Sequence, residues 1–178
     1  MRRVLSLAGW LGGATLLGLS LWTGEGLAQM DGLAQMDAPT THTVFITGME
    51  VKGATTLDKL APPSVDPKDL SKGYGFKGPG EADKQNPKRW EVASYIFTPG
   101  AVTARQGDTV KLTVFMVNGD RHEVSIVDPD GREVVSKRIW NRGREYEVSF
   151  VAEKAGTYKL VCSDHAPSMI ATFLILPR

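Results

Sequence analysis

The feature that most constrains the fold is a series of short strand-like runs, each closed by turn-forming residues, in the part of the chain after residue 89. The runs are rich in β-branched and aromatic residues, and pairs such as Pro99-Gly100 and Asn118-Gly119 separate them. An earlier run of the same kind covers Thr43–Val51. The later runs are Trp90–Phe97, Ala101–Arg105, Thr109–Val117, His122–Val127, Glu133–Ile139, Glu145–Val151, Thr157–Cys162 and Ile170–Leu176.

About eight short strands joined by frequent turns are typical of an antiparallel β-sandwich or barrel. No segment after residue 40 has a helical period of apolar residues. The predicted fold class is therefore all-β.

One stretch interrupts this pattern. Residues 61–88 combine several prolines and glycines with many charged residues, a composition typical of an irregular surface segment. We predict a long Pro/Gly-rich loop insertion there, without a regular strand.

The N-terminal segment has the pattern of an export signal. Arg2 and Arg3 precede the uncharged, leucine-rich stretch Val4–Trp22, and the small residues Gly26-Leu27-Ala28 follow it. We predict a signal peptide over residues 1–28. The uncharged stretch is also nearly as long as a membrane-spanning helix, so an uncleaved anchor is the alternative. In both cases the rest of the chain works in the periplasm or another extracytoplasmic space, soluble or anchored by its N-terminus.

The remaining chain is predicted to be a linker followed by one domain. Residues 29–41 contain the second copy of the repeated sequence GLAQMD and form the linker, and residues 42–178 form the domain. The net charge of the whole chain is +1, which gives no basic face for nucleic acid. The single cysteine excludes an intramolecular disulfide framework, and the three histidines exclude a site built from many imidazoles.

The residues that carry chemistry lie in two separated stretches. Cys162, His165 and Met169 fall on the predicted turn between the last two strands, and His122 begins an earlier strand. Alternation along the strands places Cys162 and His122 on core-facing tracks, each at a strand end. Two imidazoles, one thiolate and a weak axial thioether form the ligand set of a mononuclear electron-transfer copper site.

These residues also resemble those of the cupredoxins, the blue-copper proteins, over Tyr95–Arg178. The resemblance lies in Phe97–Gly100 with Gln106–Val110, in Asn118–His122, and in Gly156–His165 with Met169. It implies a Greek-key β-sandwich with one copper ion. His122, Cys162 and His165 would be its equatorial ligands, and Met169 its axial ligand.

Part of the resemblance extends to the copper domains of oxidase subunit II and nitrous oxide reductase. Those domains hold two coppers through a second cysteine four residues after the first, and here that position is Ala166. A second copper is therefore not expected.

The predicted function is single-electron transfer between redox proteins, such as a cytochrome or an oxidase, without an enzymatic activity. The loop after His165 contains Ala166, Pro167, Met169 and Ile170, and we expect it to form an apolar collar for docking. Copper storage or delivery, or a role as accessory subunit of a membrane oxidase, are the alternatives. A membrane is a partner only if the N-terminal segment is retained.

Other interpretations of the same residues remain open from the sequence. Cys162 on a buried strand is also typical of a small core residue, and Met169 of core filling. A Cys–His nucleophile pair would need a third, orienting group, and Asp164 on the tight loop suits a turn better. Zinc would have no reason to use a thioether. Asn118 beside Gly119 is explained most simply by the turn, although its side chain is placed where it could support the ligand loops.

Overall fold

Nearly all of the regular secondary structure in the described part of the chain is β-strand. The computed structural model describes residues 38–66, 69 and 73–178, and the residues from Pro39 onward belong to one compact unit. The predicted signal peptide (residues 1–28) and most of the predicted linker lie outside the described residues. Within them, no helix has the length and apolar character needed to cross a membrane.

Ten strands are present in the described residues. They are β1 (Thr41–Thr56), β2 (Tyr74–Lys77), β3 (Arg89–Thr98), β4 (Ala101–Arg105), β5 (Thr109–Met116), β6 (His122–Val127), β7 (Glu133–Trp140), β8 (Arg144–Val151), β9 (Gly156–Cys162) and β10 (Ile170–Leu176).

The strands form two five-stranded sheets, which confirms the predicted all-β sandwich. One sheet has the order β2-β3-β1-β5-β8, and the other has the order β4-β10-β9-β6-β7. Most neighbours are antiparallel, as predicted, but β1 with β5 and β4 with β10 are parallel pairs. Parallel neighbours require long crossovers, and both pairs join strands that are distant in the chain.

The strand content of residues 61–88 corrects one prediction. β2 lies inside the expected loop, so that stretch does contain a regular strand, and the total is ten rather than about eight. Tyr74 pairs with Ser94 and Phe76 with Val92, so β2 is an edge strand held by its hydrogen bonds to β3. A four-residue strand containing a glycine has little local preference for the extended state, and pairing with β3 is what stabilises it.

The first strand is also longer than Thr43–Val51. It continues to Thr56, since its second half pairs with β3 from Met49–Ile96 to Thr56–Arg89. The sequence shows less alternation there because both faces of this half remain largely exposed.

The core lies between the two sheets, and its tracks follow the predicted alternation. Val110, Leu112, Val114 and Met116 on β5 are buried, and they face the other sheet, where β9 buries Tyr158, Leu160 and Cys162. His122 is also completely buried. The prediction that His122 and Cys162 lie on core-facing tracks is therefore confirmed.

Two neighbouring strand pairs bring the predicted ligands to one end of the sandwich. β6 pairs with β9 so that Val124 lies opposite Cys162, which places His122 just beyond the end of β9. β9 and β10 are antiparallel neighbours, and residues 163–169 connect them at the same end. The fold thus gathers the two separated stretches around a single loop.

Candidate metal centre

Three of the four predicted ligands converge in the structure. The donor atoms of His122, Cys162 and His165 all lie within 4.8 Å of one another. Sγ of Cys162 is 3.7 Å from Nδ1 of His122 and 3.4 Å from Nδ1 of His165. Among the described residues, this is the one group of three or more His, Cys, Asp and Glu side chains that could hold a metal ion.

The fourth predicted ligand, Met169, is held against the other three by its backbone. Its amide donates to the carbonyl of His165 (3.0 Å), and its carbonyl accepts from the amide of Cys162 (3.1 Å). The side chain is completely buried and belongs to the same core cluster as Cys162 and Met116. Its ligation of a metal stays a prediction.

The orientation of the His122 ring is fixed from behind. Nε2 donates to the backbone carbonyl of Asn118, 3.0 Å away, so Nδ1 is the nitrogen turned toward the sulfur. Gly119 makes this arrangement possible, because its φ of +89° is in the left-handed region and an added Cβ would collide with Nε2. A metal-ligating histidine commonly commits its other nitrogen to such a partner, which fixes the tautomer.

Asn118 does more than form a turn. Its Oδ1 accepts from the backbone amide of Glu50 (2.7 Å), and its Nδ2 donates to the Glu50 carboxylate (3.4 Å). The residue therefore links the loop before His122 to β1 in the other sheet. The sequence interpretation preferred plain turn chemistry to a hydrogen bond across the ligand loops. The distant partner, Glu50, cannot be identified from a local pattern.

A second set of hydrogen bonds holds the loop after Cys162. The Ser163 amide donates to the carbonyl of Glu123 (2.9 Å), and its hydroxyl donates to the Glu123 carboxylate (2.7 Å). The Asp164 carboxylate accepts from the amide of Glu123 (2.9 Å). Asp164 is therefore a loop-fixing residue, and nothing in its contacts suggests the orienting member of a nucleophile triad.

Burial sets the protonation of the two loop donors. It raises the pKa of the Cys162 thiol above its ordinary value, and the backbone amides of Asp164 and His165 only partly oppose this. Burial, followed by the charge of His122, lowers the pKa of His165. A thiol must lose its proton before its sulfur can bind a metal, so metal binding to Cys162 competes with that proton.

Tyr95 on β3 completes the site and was not singled out from the sequence. Its ring centroid is 4.3 Å from that of His165 and 4.9 Å from that of His122. The two imidazole centroids are themselves 5.0 Å apart. A tyrosine in a strand gives no signal of such a role, because only the packing of the two sheets brings it over the ligands.

A cleft of about 600 Å³ opens beside the centre, next to the edge strand β2. Tyr74, Tyr95 and His165 contribute to its wall. Ser94 and Ser168 connect this wall to the ligand loop, because the Ser94 hydroxyl donates to Oγ of Ser168 at 2.6 Å. The cleft therefore gives access to the one ligand that is not fully buried.

The predicted apolar collar is smaller than expected. Pro167 is exposed and Ala166 and Ile170 are partly exposed, but Met169 is completely buried and contributes nothing to the surface. The reason is that the loop turns Met169 back onto Cys162, so its side chain points into the core.

The donor set fits copper on its chemistry. One soft sulfur and two imidazole nitrogens suit both oxidation states of copper, and a buried thioether nearby is compatible with a weak fourth ligand. The residue four positions after Cys162 is Ala166, and His42, the remaining histidine, instead contacts Asp108. The described residues thus offer donors for a single ion.

No family model and no curated protein matches the chain. Solved structures are similar to it at low identity. Auracyanin A, a blue copper protein from Chloroflexus aurantiacus, is 19% identical and covers 45% of this chain and 88% of its own, with a TM-score of 0.38. A purple cupredoxin from Nitrosopumilus maritimus is 23% identical over 45% and 81%, with a TM-score of 0.33.

A copper nitrite reductase from Nitrosomonas europaea is 13% identical over 78% of this chain and 42% of its own, with a TM-score of 0.44. The similarity to oxidase subunit II and nitrous oxide reductase stays a prediction.

Proposed function

We propose that this chain is an exported mononuclear copper protein that carries single electrons between redox partners. The observation that carries the proposal is the convergence of a buried thiol with two imidazoles, all three donor atoms within 4.8 Å of one another. His122, Cys162 and His165 would hold the ion, with Met169 as a weak axial ligand. A bound copper ion would supply one-electron exchange between Cu(I) and Cu(II).

The chain's own contribution is to hold the donor atoms rigidly and to exclude water from them. His122 and Cys162 are completely buried, so water has no direct route to them. The carbonyl of Asn118 fixes the His122 ring, and the hydrogen bonds that Ser163 and Asp164 make with Glu123 fix the loop, all from outside the donor set. Rigidly held donors keep the structural change between the two oxidation states small, and fast electron transfer requires a small change.

His165 provides the path to the surface. It is the predicted ligand that is only partly buried, it lines the cleft, and the exposed or partly exposed Ala166, Pro167 and Ile170 follow it in the chain. A redox protein such as a cytochrome or an oxidase would dock there by a small, transient contact. The near-neutral charge of the chain makes long-range steering a minor contribution.

Export follows in this proposal from the N-terminal sequence pattern alone. The carrier would act in the periplasm or an equivalent space, soluble or held by its N-terminus. It needs no bound substrate, so we propose a carrier rather than an enzyme.

The proposal is tested by adding Cu(II) to the purified mature protein and recording visible and electron paramagnetic resonance spectra. We expect an intense thiolate-to-copper band at one copper per chain and a reversible reduction. Cys162→Ser should abolish the band. His42→Ala is the matched control, because it removes a histidine that contacts Asp108 instead of the centre.

Two results would contradict electron transfer. A native protein without a thiolate band would exclude the proposed ligand set. Copper that binds through Cys162 but passes readily to a chelating acceptor, without reversible reduction, would favour storage or delivery.

A further inference from the structure

The aromatic ring of Tyr95 has contacts that the ligand set alone does not explain. Tyr95 lies on β3 opposite Glu50 of β1, so it belongs to the sheet that supplies none of the predicted ligands. Its side chain nevertheless reaches across the end of the sandwich to both imidazoles.

The three rings form a closed group. Tyr95 meets His122 nearly edge-on at an interplanar angle of 76° and meets His165 at 46°, while the two imidazoles lie at 49° to each other. Each ring therefore restricts the tilt of the other two. Edge-on and tilted contacts at these distances are the favourable geometries for aromatic pairs.

Tyr95 also separates the buried imidazole from the cleft. Tyr95 and His165 line the cleft, whereas His122 does not and is completely buried. On the far side, a Cβ added to Gly119 would lie 3.0 Å from Cε1 of Tyr95, so the ring is packed tightly against the loop before His122. Loss of the ring would open a direct route from the cleft toward the sulfur and the imidazoles.

We propose that Tyr95 is a positioning residue whose ring sets the angle between the two imidazoles and closes the centre on its cleft side. The part that concerns copper rests on the proposed function, whereas the ring contacts are between the protein's own side chains. The hydroxyl is not the working part, since it has no hydrogen bond among the described residues. Tyr95→Phe should therefore preserve the role, and Tyr95→Leu should remove it.

The test compares Tyr95→Leu, Tyr95→Phe and the control Tyr74→Leu in the full mature chain. Tyr74 is also in the cleft wall but has no ring contact with either imidazole. The first readout needs no metal: the rate at which Cys162, the chain's single cysteine, reacts with a soluble aromatic disulfide. The second readout is the affinity for Cu(II) and for Cu(I), measured by chelator competition.

We expect Tyr95→Leu to raise the thiol reaction rate about tenfold and to weaken Cu(II) binding about tenfold, as loss of an outer support of a metal ligand commonly does. A tenfold change in the ratio of Cu(I) to Cu(II) affinity corresponds to about 59 mV in potential. Tyr95→Phe and Tyr74→Leu should stay within about threefold of the native protein. Should Tyr95→Leu fail to fold, Tyr95→Ile, which suits a strand, replaces it.

The outcomes separate the two proposals. If removing the ring changes neither the thiol rate nor the affinities, or if Tyr95→Phe behaves like Tyr95→Leu, the positioning role of the ring is wrong. If the native protein binds no copper but its thiol is exposed by Tyr95→Leu alone, the carrier function is wrong and the closing role of Tyr95 stands.

Discussion

Nε2 of His122 lies 3.0 Å from the backbone carbonyl of Asn118 and donates to it, so Nδ1 of the same ring is the atom left for the sulfur of Cys162. A carbonyl can only accept, and this contact therefore fixes the tautomer as well as the direction of the ring. His122 is the predicted copper ligand that lies farthest from the others in the sequence, and the turn just before it sets the orientation of its ring.

Gly119→Ala should lower the stability of the protein by more than backbone strain alone, because it also disrupts this contact. An alanine Cβ would overlap Nε2 of His122, and the residue would hold a φ of +89° that disfavours any side chain. We expect a loss of about 2–4 kcal/mol in the free energy of unfolding and at least tenfold weaker copper binding. Denaturant unfolding of the metal-free protein and chelator competition measure the two effects.

Gly131→Ala is the matched control for that experiment. Gly131 also has a positive φ (+80°), but a Cβ there meets nothing within 4 Å. It should lose only the backbone cost of about 1–2 kcal/mol and keep native copper affinity. Equal losses in the two variants would show that the imidazole is not displaced.

Asn118→Ala should loosen the connection between the two sheets at the metal end. The substitution removes the acceptor for the Glu50 amide while keeping the backbone carbonyl that faces His122. We expect about 1–2 kcal/mol lower stability and several-fold weaker copper binding. Asn141→Ala, at an exposed turn, is the control and should change neither quantity. If Asn118→Ala leaves the copper affinity unchanged, the Asn118 side chain contributes only to stability.

Met169→Leu tests the predicted axial ligand. The two side chains have similar volumes, so stability should change by less than about 1.5 kcal/mol. The thiolate-to-copper band should persist, and the potential should rise by about 59 mV for each tenfold loss of preference for Cu(II), because a donor to the oxidised ion is removed. Voltammetry and visible spectra measure these changes.

Met116→Leu gives the comparison for Met169. Met116 is equally buried and packs beside Met169 near Gly48, but it lies on β5 outside the ligand loop. Its replacement should leave the potential at the native value. Identical shifts in the two leucine variants would argue for a general packing effect and against axial ligation.

Asp108→Asn should make the protein less stable at neutral pH and less sensitive to acid. Burial alone would raise the pKa of Asp108. Hydrogen bonds from the amides of Thr40 and Arg105, the contact with His42 and the charge of Arg178 instead hold the pKa well below the ordinary value of 3.8. A depressed pKa means that the ionised form stabilises the fold above the ordinary value and that this contribution is lost as the pH falls below it.

The expected difference between native and Asp108→Asn is about 2–3 kcal/mol in urea unfolding at pH 7, narrowing as the pH decreases from about 5 to 2. Asp58→Asn serves as control, since the exposed pair of Asp58 with Lys88 should contribute at most about 1 kcal/mol. A difference in unfolding free energy between the native protein and Asp108→Asn that stays constant across this pH range would mean that the charge of Asp108 is not what stabilises the fold.

The strands that carry the site could be predicted from the sequence because the patterns that indicate them, alternation and turn residues, are local. Alternation along Thr157–Cys162 places the cysteine toward the core, and the Asn118-Gly119 turn marks where β6 is about to begin. The types and spacing of Cys162, His165 and Met169 then indicate a metal loop. The structure confirms the approach of the first two to His122.

The features that escaped prediction depend on contacts between distant segments. β2 exists because Tyr74 and Phe76 meet β3, and no pattern within its four residues identifies that partner. Tyr95 reaches the imidazoles only after the two sheets pack, and Asn118 finds its acceptor and donor on Glu50 in the other sheet. Each of these depends on tertiary packing that sequence periodicity does not encode.

Three of the four predicted donors lie within residues 162–169, which cover the end of β9 and its connection to β10, while the fourth, His122, begins the strand paired with β9. Insertions or exchanges among residues 163–168 should therefore change the candidate metal centre while leaving the hydrogen-bond ladders of both sheets intact. The proposed redox chemistry and the strand pairing thus depend largely on different residues, so changes confined to this connection should alter the first and spare the second.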